Sequence, residues 1–156
     1  MITMAELVAQ EVFEFLRPEQ VHALSEASEK ISCNAGETVY EKGAKADHFF
    51  TVLKGEVTLR LPGKGGVNVV IDQLRKGAMF GSCMCFNRDS YSLTAQCTKD
   101  SELLKIDSRV LKRLMDEDLL MGYGLQTRMS EIYFNRYNET MKKLQAIVMN
   151  IEIEAD

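Results

Sequence analysis

The hydrophobic positions at the start of the chain recur at helical spacing. From about residue 3 to residue 16, apolar side chains return every three or four positions, which is typical of an amphipathic helix. Pro18 ends or restarts this helix because proline fits the first turn but not the interior. A second short helix follows on Val21, Leu24 and Ala27, so the pattern predicts N-terminal helices over residues 1–30.

From Ile31 the pattern changes to short β-type runs separated by turns. Residues 56–61 alternate between polar and apolar side chains, as a half-buried strand does, and Pro62 and four following residues form a glycine-rich hairpin tip. Many short strands at this spacing predict a mainly β fold, an antiparallel β-roll or jelly roll over residues 31–107 with flanking helices. The predicted strands are 31–33, 38–40, 49–53, 56–61, 67–74, 91–97 and 103–106.

Helical periodicity returns after the last predicted strand. Asp107 and Ser108 form an N-cap signal, and a short amphipathic helix follows. A longer helix is predicted from about Leu119 toward Met149, and Gly122 and Gly124 are expected to weaken its start by about 1 kcal/mol each relative to alanine. The C-terminal helices are therefore placed over residues 108–151.

The second half of the long helix carries an apolar stripe with positions spaced alternately three and four apart. This spacing is that of a coiled-coil seam, although the stripe can also dock on the barrel of its own subunit. Because it extends beyond what one small barrel covers, we predict a homodimer formed through the C-terminal helix. The seam consists of Phe134, Tyr137, Met141, Leu144, Val148 and Ile151.

Length, charge and hydropathy set the broad class. The 156 residues suit a single domain over residues 1–156, and 46% hydrophobic with 27% charged residues is ordinary for a globular protein. A formal net charge of -4 argues against general nucleic-acid affinity. The sequence has no apolar window of about 20 residues and no signal-peptide pattern, so we expect a cytoplasmic protein without membrane insertion.

The cysteines and histidines offer little catalytic or metal-binding potential. The spacing of Cys33, Cys83, Cys85 and Cys97 matches no zinc or redox motif, so small buried hydrophobes are expected. A redox or metal site built on the cysteines at 83 and 85 would need Cys97 and His48 to converge on them. With His22 as the only other histidine, neither a cupin-type metal site nor a nucleophile–base pair can be assembled, and an enzyme is not expected.

The segment from residue 77 to residue 86 has the pattern of an anion-binding turn. A hydrophobic strand arrives at Gly81, turns sharply and enters a segment long enough for one or two helical turns. Glycine permits close backbone approach, and amides at the start of a short helix suit an anion, typically a phosphate.

Three ordered motifs give this turn a family context. The chain reads GETVYEKG over residues 36–43, FFTVLKGEV over 49–57 and LRKGAMFG over 74–81. In this order and spacing they resemble the cyclic nucleotide-binding domain. The resemblance implies a β-roll with a phosphate-binding cassette at residues 80–95, a regulatory role in ligand sensing, and a cyclic nucleotide (cAMP or cGMP) as candidate small-molecule ligand.

The cassette departs from the family pattern at its two charged positions. Ser82 stands where the family has the glutamate that holds the ribose, and Tyr91 stands where it has the arginine that neutralises the phosphate. Loss of the arginine alone removes a charge-assisted contact, roughly 1.5–3 kcal/mol. Arg88 either stays in a solvated loop or swings in as a replacement for the arginine. A rough alignment puts Arg136 and Tyr137 near the base, although Tyr137 can equally be a packing residue of the seam. The candidate ligand-binding residues are Gly81, Ser82, Cys83, Arg88, Tyr91, Ser92, Arg136 and Tyr137.

Two functions follow from this pattern. The first is a ligand-sensing regulatory domain, expected to lack a DNA-binding or catalytic domain because the long helix runs almost to the last residue. The second is a degenerate member that does not bind cyclic nucleotide and instead senses another small molecule or acts as a protein-interaction module.

Overall fold

The described part of the chain contains eight antiparallel strands and four α-helices. The computed structural model describes residues 4–8 and 10–149. The helices are α1 Met4–Val8, α2 Pro18–Glu26, α3 Ser108–Glu117 and α4 Leu119–Met149. The strands are β1 Ser28–Cys33, β2 Thr38–Tyr40, β3 His48–Lys54, β4 Val57–Pro62, β5 Asn68–Leu74, β6 Met79–Phe80, β7 Thr94–Cys97 and β8 Ser101–Asp107.

The strands form two four-stranded sheets that face each other as a roll. One sheet has the order β1-β8-β3-β6 and the other the order β2-β7-β4-β5, and consecutive strands often lie in different sheets. All pairings between strands are antiparallel. The predicted fold class, an antiparallel β-roll with N-terminal helices and a long C-terminal helix, is confirmed.

The N-terminal segment is less helical than its apolar spacing predicts. Tight turns, with the Gln10 amide bonded to the Leu7 carbonyl and the Phe13 amide bonded to the Gln10 carbonyl, interrupt the helix predicted over residues 3–16. These turns allow Leu7, Val12 and Phe13 to be buried together beneath α4. β1 begins at Ser28, inside the segment predicted to be helical, because its pairing with β8 extends to Ile106.

The hydrophobic core has two parts, which lie on opposite faces of the first sheet. One cluster joins the helices to the outer face of the first sheet, through Phe49, Leu104, Leu111 and Leu125 among others. The second fills the interior of the roll, where Phe50, Phe80, Tyr91 and Cys97 lie. Strands β3, β6 and β8 contribute to both clusters by alternating their side chains between the two faces.

Gly122 is a poor helix former, but it allows two helices to pack closely. A Cβ at Gly122 would lie 2.6 Å from the carbonyl oxygen of Met115, so glycine permits α3 and α4 to approach closely. Gly122 is buried, and a larger side chain there would force α3 and α4 apart. Among the helices of the described ranges, none combines the length and apolar character needed to cross a membrane.

The structure describes the C-terminal helices predicted over residues 108–151 as far as Met149. α3 and α4 meet at Asp118, whose carboxylate accepts a hydrogen bond from the Met121 amide at the start of α4. Ile151, the last residue of the predicted seam, lies outside the described residues.

Candidate functional site

The cassette is a glycine turn followed by one short 3-10 helix. β6 ends at Phe80, Gly81 has φ +81°, and the 3-10 helix spans Cys83–Phe86. Asn87 closes the helix in the left-handed conformation with φ 59°, which asparagine tolerates better than most residues. The predicted strand 91–97 begins only at Thr94, so residues 91–93 are free to line the space beneath the turn.

Tyr91, at the family's arginine position, is directed into the roll. Its side chain is 5% exposed, and its hydroxyl donates a hydrogen bond to the His48 carbonyl at 2.6 Å. Its ring stacks on Tyr40, with 3.6 Å between the centroids. A Cβ at Gly81 would lie 3.3 Å from each ring, so the aromatic pair fills the space beside the glycine turn. Burial raises the pKa of Tyr91 to about 12 and also raises the pKa of Tyr40.

Ser82, at the family's glutamate position, is bonded to the long helix instead of facing a cavity. The residue is fully buried, and its Oγ lies 2.8 Å from the hydroxyl oxygen of Tyr133 on α4. The Tyr133 ring also makes an edge contact with Phe86 at 5.0 Å between centroids. Burial raises the pKa of Tyr133, so its hydroxyl stays protonated and available for this bond.

Arg136 forms a second polar contact between α4 and the roll. Its guanidinium forms an ion pair with Asp72 at 3.0 Å and donates to the Met79 carbonyl. The same group lies 5.4 Å from the centroid of the Tyr133 ring. The side chain is largely buried, and its Nε and Nη2 atoms both have partners within the protein.

A cavity of about 280 Å³ lies between the roll and α4, and we call it the inner cavity. Strands, cassette and helix all contribute to its wall, which combines apolar side chains with three hydroxyl groups from α4. The lining residues are Tyr40, Leu59, Ile71, Gly81, Cys83, Ser92, Leu93, Tyr133, Arg136, Tyr137 and Thr140.

A second cavity of about 470 Å³, the outer cavity, lies on the other side of the cassette. It shares Cys83, Ser92 and Tyr133 with the inner cavity, so the two are adjacent. Within the described chain, neither the Lys42 ammonium nor the Arg88 guanidinium in its wall has a hydrogen bond or ion pair. The lining residues are Lys42, Gly43, Cys83, Phe86, Arg88, Ser90, Tyr91, Ser92 and Tyr133.

The candidate residues from the sequence therefore divide between the two cavities. Gly81, Arg136 and Tyr137 line the inner cavity, whereas Arg88 and Tyr91 line the outer one. Cys83 and Ser92 line both, and Ser82 lines neither because its hydroxyl faces Tyr133.

Sequence reasoning missed Tyr133 and Lys42. The sequence does contain a signal for Tyr133, a second series of positions beside the seam with spacings of four, three and four: Met129, Tyr133, Arg136 and Thr140. In the structure, Met129 is fully buried and the other three residues line the inner cavity. Lys42 has no such signal, because its place in the wall depends on how two distant loops pair.

The four cysteines are free, and they do not all come together at one place. Cys97 lies inside the roll, whereas Cys85 packs against the helical cluster. Burial raises the pKa of the Cys85 thiol to about 11, and burial together with the neighbouring Cys97 thiol raises that of Cys33 to about 12. Across residues 4–8 and 10–149, no three His, Cys, Asp or Glu side chains are grouped so as to hold a metal ion.

The apolar seam of α4 is exposed and longer than the sequence pattern first indicates. Phe134, Tyr137, Met141, Leu144 and Val148 are all exposed, from 42% to 61%. The same spacing continues toward the N-terminus of α4 through Ser130 and Thr127 to Tyr123 and Leu120, which are also exposed.

Comparison with known proteins places these features in a family. The profile of the cyclic nucleotide-binding domain matches residues 30–118. The fold is similar to that of a Geobacter metallireducens protein assigned to the cyclic nucleotide-binding proteins, with TM-score 0.76 and 23% identity over 88% of this chain and 99% of that one. It is also similar to the sensor domain of the transcriptional regulator DNR from Pseudomonas aeruginosa, with TM-score 0.74 and 20% identity over 98% and 95% of the two chains.

Similar domains also occur inside larger proteins. The regulatory domain of Toxoplasma gondii PKA, solved with cAMP, has TM-score 0.69 and 16% identity over 82% of this chain and 48% of that one. Among curated proteins, lysophospholipase nte1 of Emericella nidulans is 23% identical over 116 residues, which are 74% of this chain. The match spans only 7% of the length of that lysophospholipase.

Proposed function

The chain belongs to the cyclic nucleotide-binding domain family, and from this premise we propose that it is a ligand-sensing regulatory domain that signals through its long C-terminal helix. The observation that carries the proposal is the inner cavity, because its wall comes from both the cassette and α4. A ligand in this cavity contacts both elements and therefore favours one packing of α4 over another, which is a shift between populations.

Two contacts would transmit the signal. The Ser82–Tyr133 hydrogen bond joins the cassette to α4, and the ion pair between Arg136 and Asp72 joins α4 to β5. Both lie at the wall of the inner cavity or directly behind it. A ligand that moves the cassette by a few tenths of an ångström strains the first contact, since hydrogen bonds weaken quickly beyond their preferred distance.

A cyclic nucleotide is the ligand that family membership favours. Its base would lie against Tyr137 and Arg136, and its phosphate near the Ser92 hydroxyl and the amides after Gly81. Because Tyr91 supplies no positive charge, we expect affinity roughly tenfold or more below that of a site with the arginine. Isothermal calorimetry with cAMP and cGMP tests this form, with 5′-AMP as the control, and absence of heat at about 1 mM ligand would exclude it.

The second candidate is a sensor of a different small molecule, or an interaction module. The stacked Tyr40–Tyr91 pair favours it, because the rings fill the space beside Gly81 where a bound phosphate would need a cation. Native mass spectrometry of the protein purified without added ligand tests this form, since a co-purifying compound other than a cyclic nucleotide supports it.

The exposed seam of α4 supports a homodimer. Its alternating spacing continues from Leu120 to Val148, and the exposed side chains are apolar except for Thr127 and Ser130. Sedimentation velocity over a range of concentrations, with and without ligand, measures whether the domain dimerises and whether ligand changes the dimer. The proposal includes a cytoplasmic location, which the four free cysteines favour, and no nucleic-acid, membrane or catalytic function.

A further inference from the structure

The outer cavity has a positively charged wall of unusual composition. Lys42 and Arg88 are its two ionisable cations, and none of its lining residues is acidic. Ser90 and Ser92 add hydroxyl donors, and the rings of Phe86, Tyr91 and Tyr133 form its apolar part. We propose that the outer cavity binds the anionic group of the sensed ligand, a phosphate or carboxylate attached to an aromatic or otherwise apolar body.

Backbone pairing between two loops distant in sequence brings together the main-chain positions of Lys42 and Arg88. The Gly43 amide donates to the Tyr91 carbonyl at 2.8 Å, and the Tyr91 amide donates to the Ala44 carbonyl at 2.9 Å. The Arg88 amide donates to the Cys83 carbonyl at 3.0 Å, which fixes the loop on the cassette side. Lys42 and Arg88 thus line one cavity because main-chain bonds hold their loops together, and their exposed side chains can turn toward an anion bound there.

Within the described ranges, neither of these two cations forms an ion pair. Lys45 forms an ion pair with Asp47 at 3.6 Å, whereas the side chains of Lys42 and Arg88 have no partner in the described ranges. Glu41 and Asp89 are adjacent to the two cations in sequence but do not line the cavity. An anion placed between the two cations would therefore gain two charge-assisted contacts without displacing an existing ion pair.

The shared wall of the two cavities defines the shape of the ligand. Cys83, Ser92 and Tyr133 border both, so a ligand whose anion lies between Lys42 and Arg88 can place its apolar body against the Tyr133 ring and toward the inner cavity. Tyr91 stands where the family has its arginine, so that position carries no positive charge. Lys42 and Arg88, which line the same outer cavity as Tyr91, supply positive charge in its place. The inference rests on the proposed function, because it names the class of ligand that the sensing site takes.

Amide-resolved NMR titration of the full chain with phenyl phosphate tests the proposal. Phenol, which has the ring without the charge, and inorganic phosphate, which has the charge without the ring, are the reference probes. We expect phenyl phosphate to shift the amides of Lys42, Arg88 and Ser92 and to bind at least about fivefold more tightly than either reference. Equal binding of phenyl phosphate and phenol, or no shift at up to about 10 mM, overturns the proposal.

Charge-removing variants locate the effect. Lys42→Gln and Arg88→Gln should each weaken phenyl phosphate binding by about threefold to tenfold, and the double variant by more than either. Lys45→Gln is the matched control, because it removes a nearby cation that already has a partner. All three side chains are exposed, so the amide spectrum should show an unchanged fold. Equal weakening by the control would show a general charge effect and overturn the site.

The same titration separates this inference from the proposed function. Amide shifts along α4, at Tyr133 and Thr140, report whether a bound ligand changes the helix. Binding that depends on Lys42 and Arg88 but leaves α4 unchanged supports the anion site and contradicts sensing through the helix. A cyclic nucleotide that shifts α4 equally in the wild type and the double variant supports sensing and overturns the anion site.

Discussion

The hydroxyl groups of Ser82 and Tyr133 lie 2.8 Å apart and join the cassette to the long helix. Ser82 occupies the position that the family resemblance assigns to a ribose-binding glutamate, yet its side chain is turned away from both cavities. The residue thus holds α4 against the cassette. This contact provides a direct physical path from the cassette to the proposed signalling helix.

Replacing Tyr133 with phenylalanine should destabilise the fold and loosen α4. The change leaves the fully buried Ser82 hydroxyl without its partner, which costs about 1–3 kcal/mol of unfolding free energy. Ser82→Ala should cost less, because the Tyr133 hydroxyl that it leaves unpaired borders both cavities and can bond to water there. Urea unfolding followed by circular dichroism measures both values.

A double variant and a control at an exposed residue test whether these costs come from the Ser82–Tyr133 hydrogen bond. Ser82→Ala combined with Tyr133→Phe should cost less than the sum of the single changes, with a coupling energy of about 0.5–1.5 kcal/mol. Tyr137→Phe removes a hydroxyl from a half-exposed ring nearby and should change stability by less than about 0.5 kcal/mol. Additive effects would show that the hydrogen bond does not form in solution.

Tyr91 should make the domain sensitive to alkaline pH. Its folded-state pKa is about 12, above the ordinary tyrosine value of about 10, because burial disfavours the phenolate. Above pH 10 the unfolded chain releases this proton while the folded protein keeps it. The stabilisation is therefore complete below about pH 10 and is lost between about pH 10 and pH 12, by up to about 1.4 kcal/mol per pH unit.

Tyr91→Phe isolates this contribution. The variant should lose about 1 kcal/mol at neutral pH with the hydrogen bond to His48, but its stability should fall less steeply above pH 10. The stability of the variant should still fall somewhat with rising pH, since burial also raises the pKa of Tyr40. Tyr123→Phe changes an exposed ring and serves as the control. Chemical unfolding at several pH values gives the slopes, and identical slopes for wild type and Tyr91→Phe would contradict the assignment.

Gly81 should tolerate alanine less well than Gly77. Both have positive φ, +81° and +90°, so alanine costs about 1–2 kcal/mol of backbone strain at each position. At Gly81 the added Cβ also lies 3.3 Å from the rings of Tyr40 and Tyr91, whereas at Gly77 it meets open space. We expect Gly81→Ala to cost about 1–3 kcal/mol more in unfolding free energy. Equal costs would mean that the stacked rings move aside freely.

The architecture was predictable because it depends on local patterns. Alternation over residues 56–61 and the glycine-bounded runs identify strands wherever one face is buried, and the structure confirms the roll. The N-terminal boundary was not predictable in the same way. Apolar residues there satisfy helical spacing, but tight turns at Gln10 and Phe13 bury Leu7, Val12 and Phe13 together, a tertiary effect that periodicity does not report.

The candidate site was only partly accessible to sequence reasoning. Motif order located Gly81, Ser82 and Tyr91 because these positions follow one another along one segment. Tyr133 and Lys42 belong to elements distant in sequence, and their side chains reach the cassette only after α4 and the β2–β3 loop dock on it. The sequence thus predicts site residues that follow one another along one segment, but not residues that reach the site from distant elements.

Leu144→Glu should dissociate the proposed homodimer without unfolding the monomer. Leu144 lies at the centre of the C-terminal half of the seam and is 49% exposed, so a charge there costs little in the isolated subunit. In a coiled-coil dimer it would bury a carboxylate against the partner helix and weaken association by several kcal/mol, roughly a hundredfold or more. Ala146→Glu is the matched control, because it adds the same charge on an exposed position facing away from the seam. Sedimentation velocity should show the wild type and Ala146→Glu as dimers and Leu144→Glu as a monomer. A monomeric wild type, or equal dissociation by both variants, would show that the seam serves another purpose.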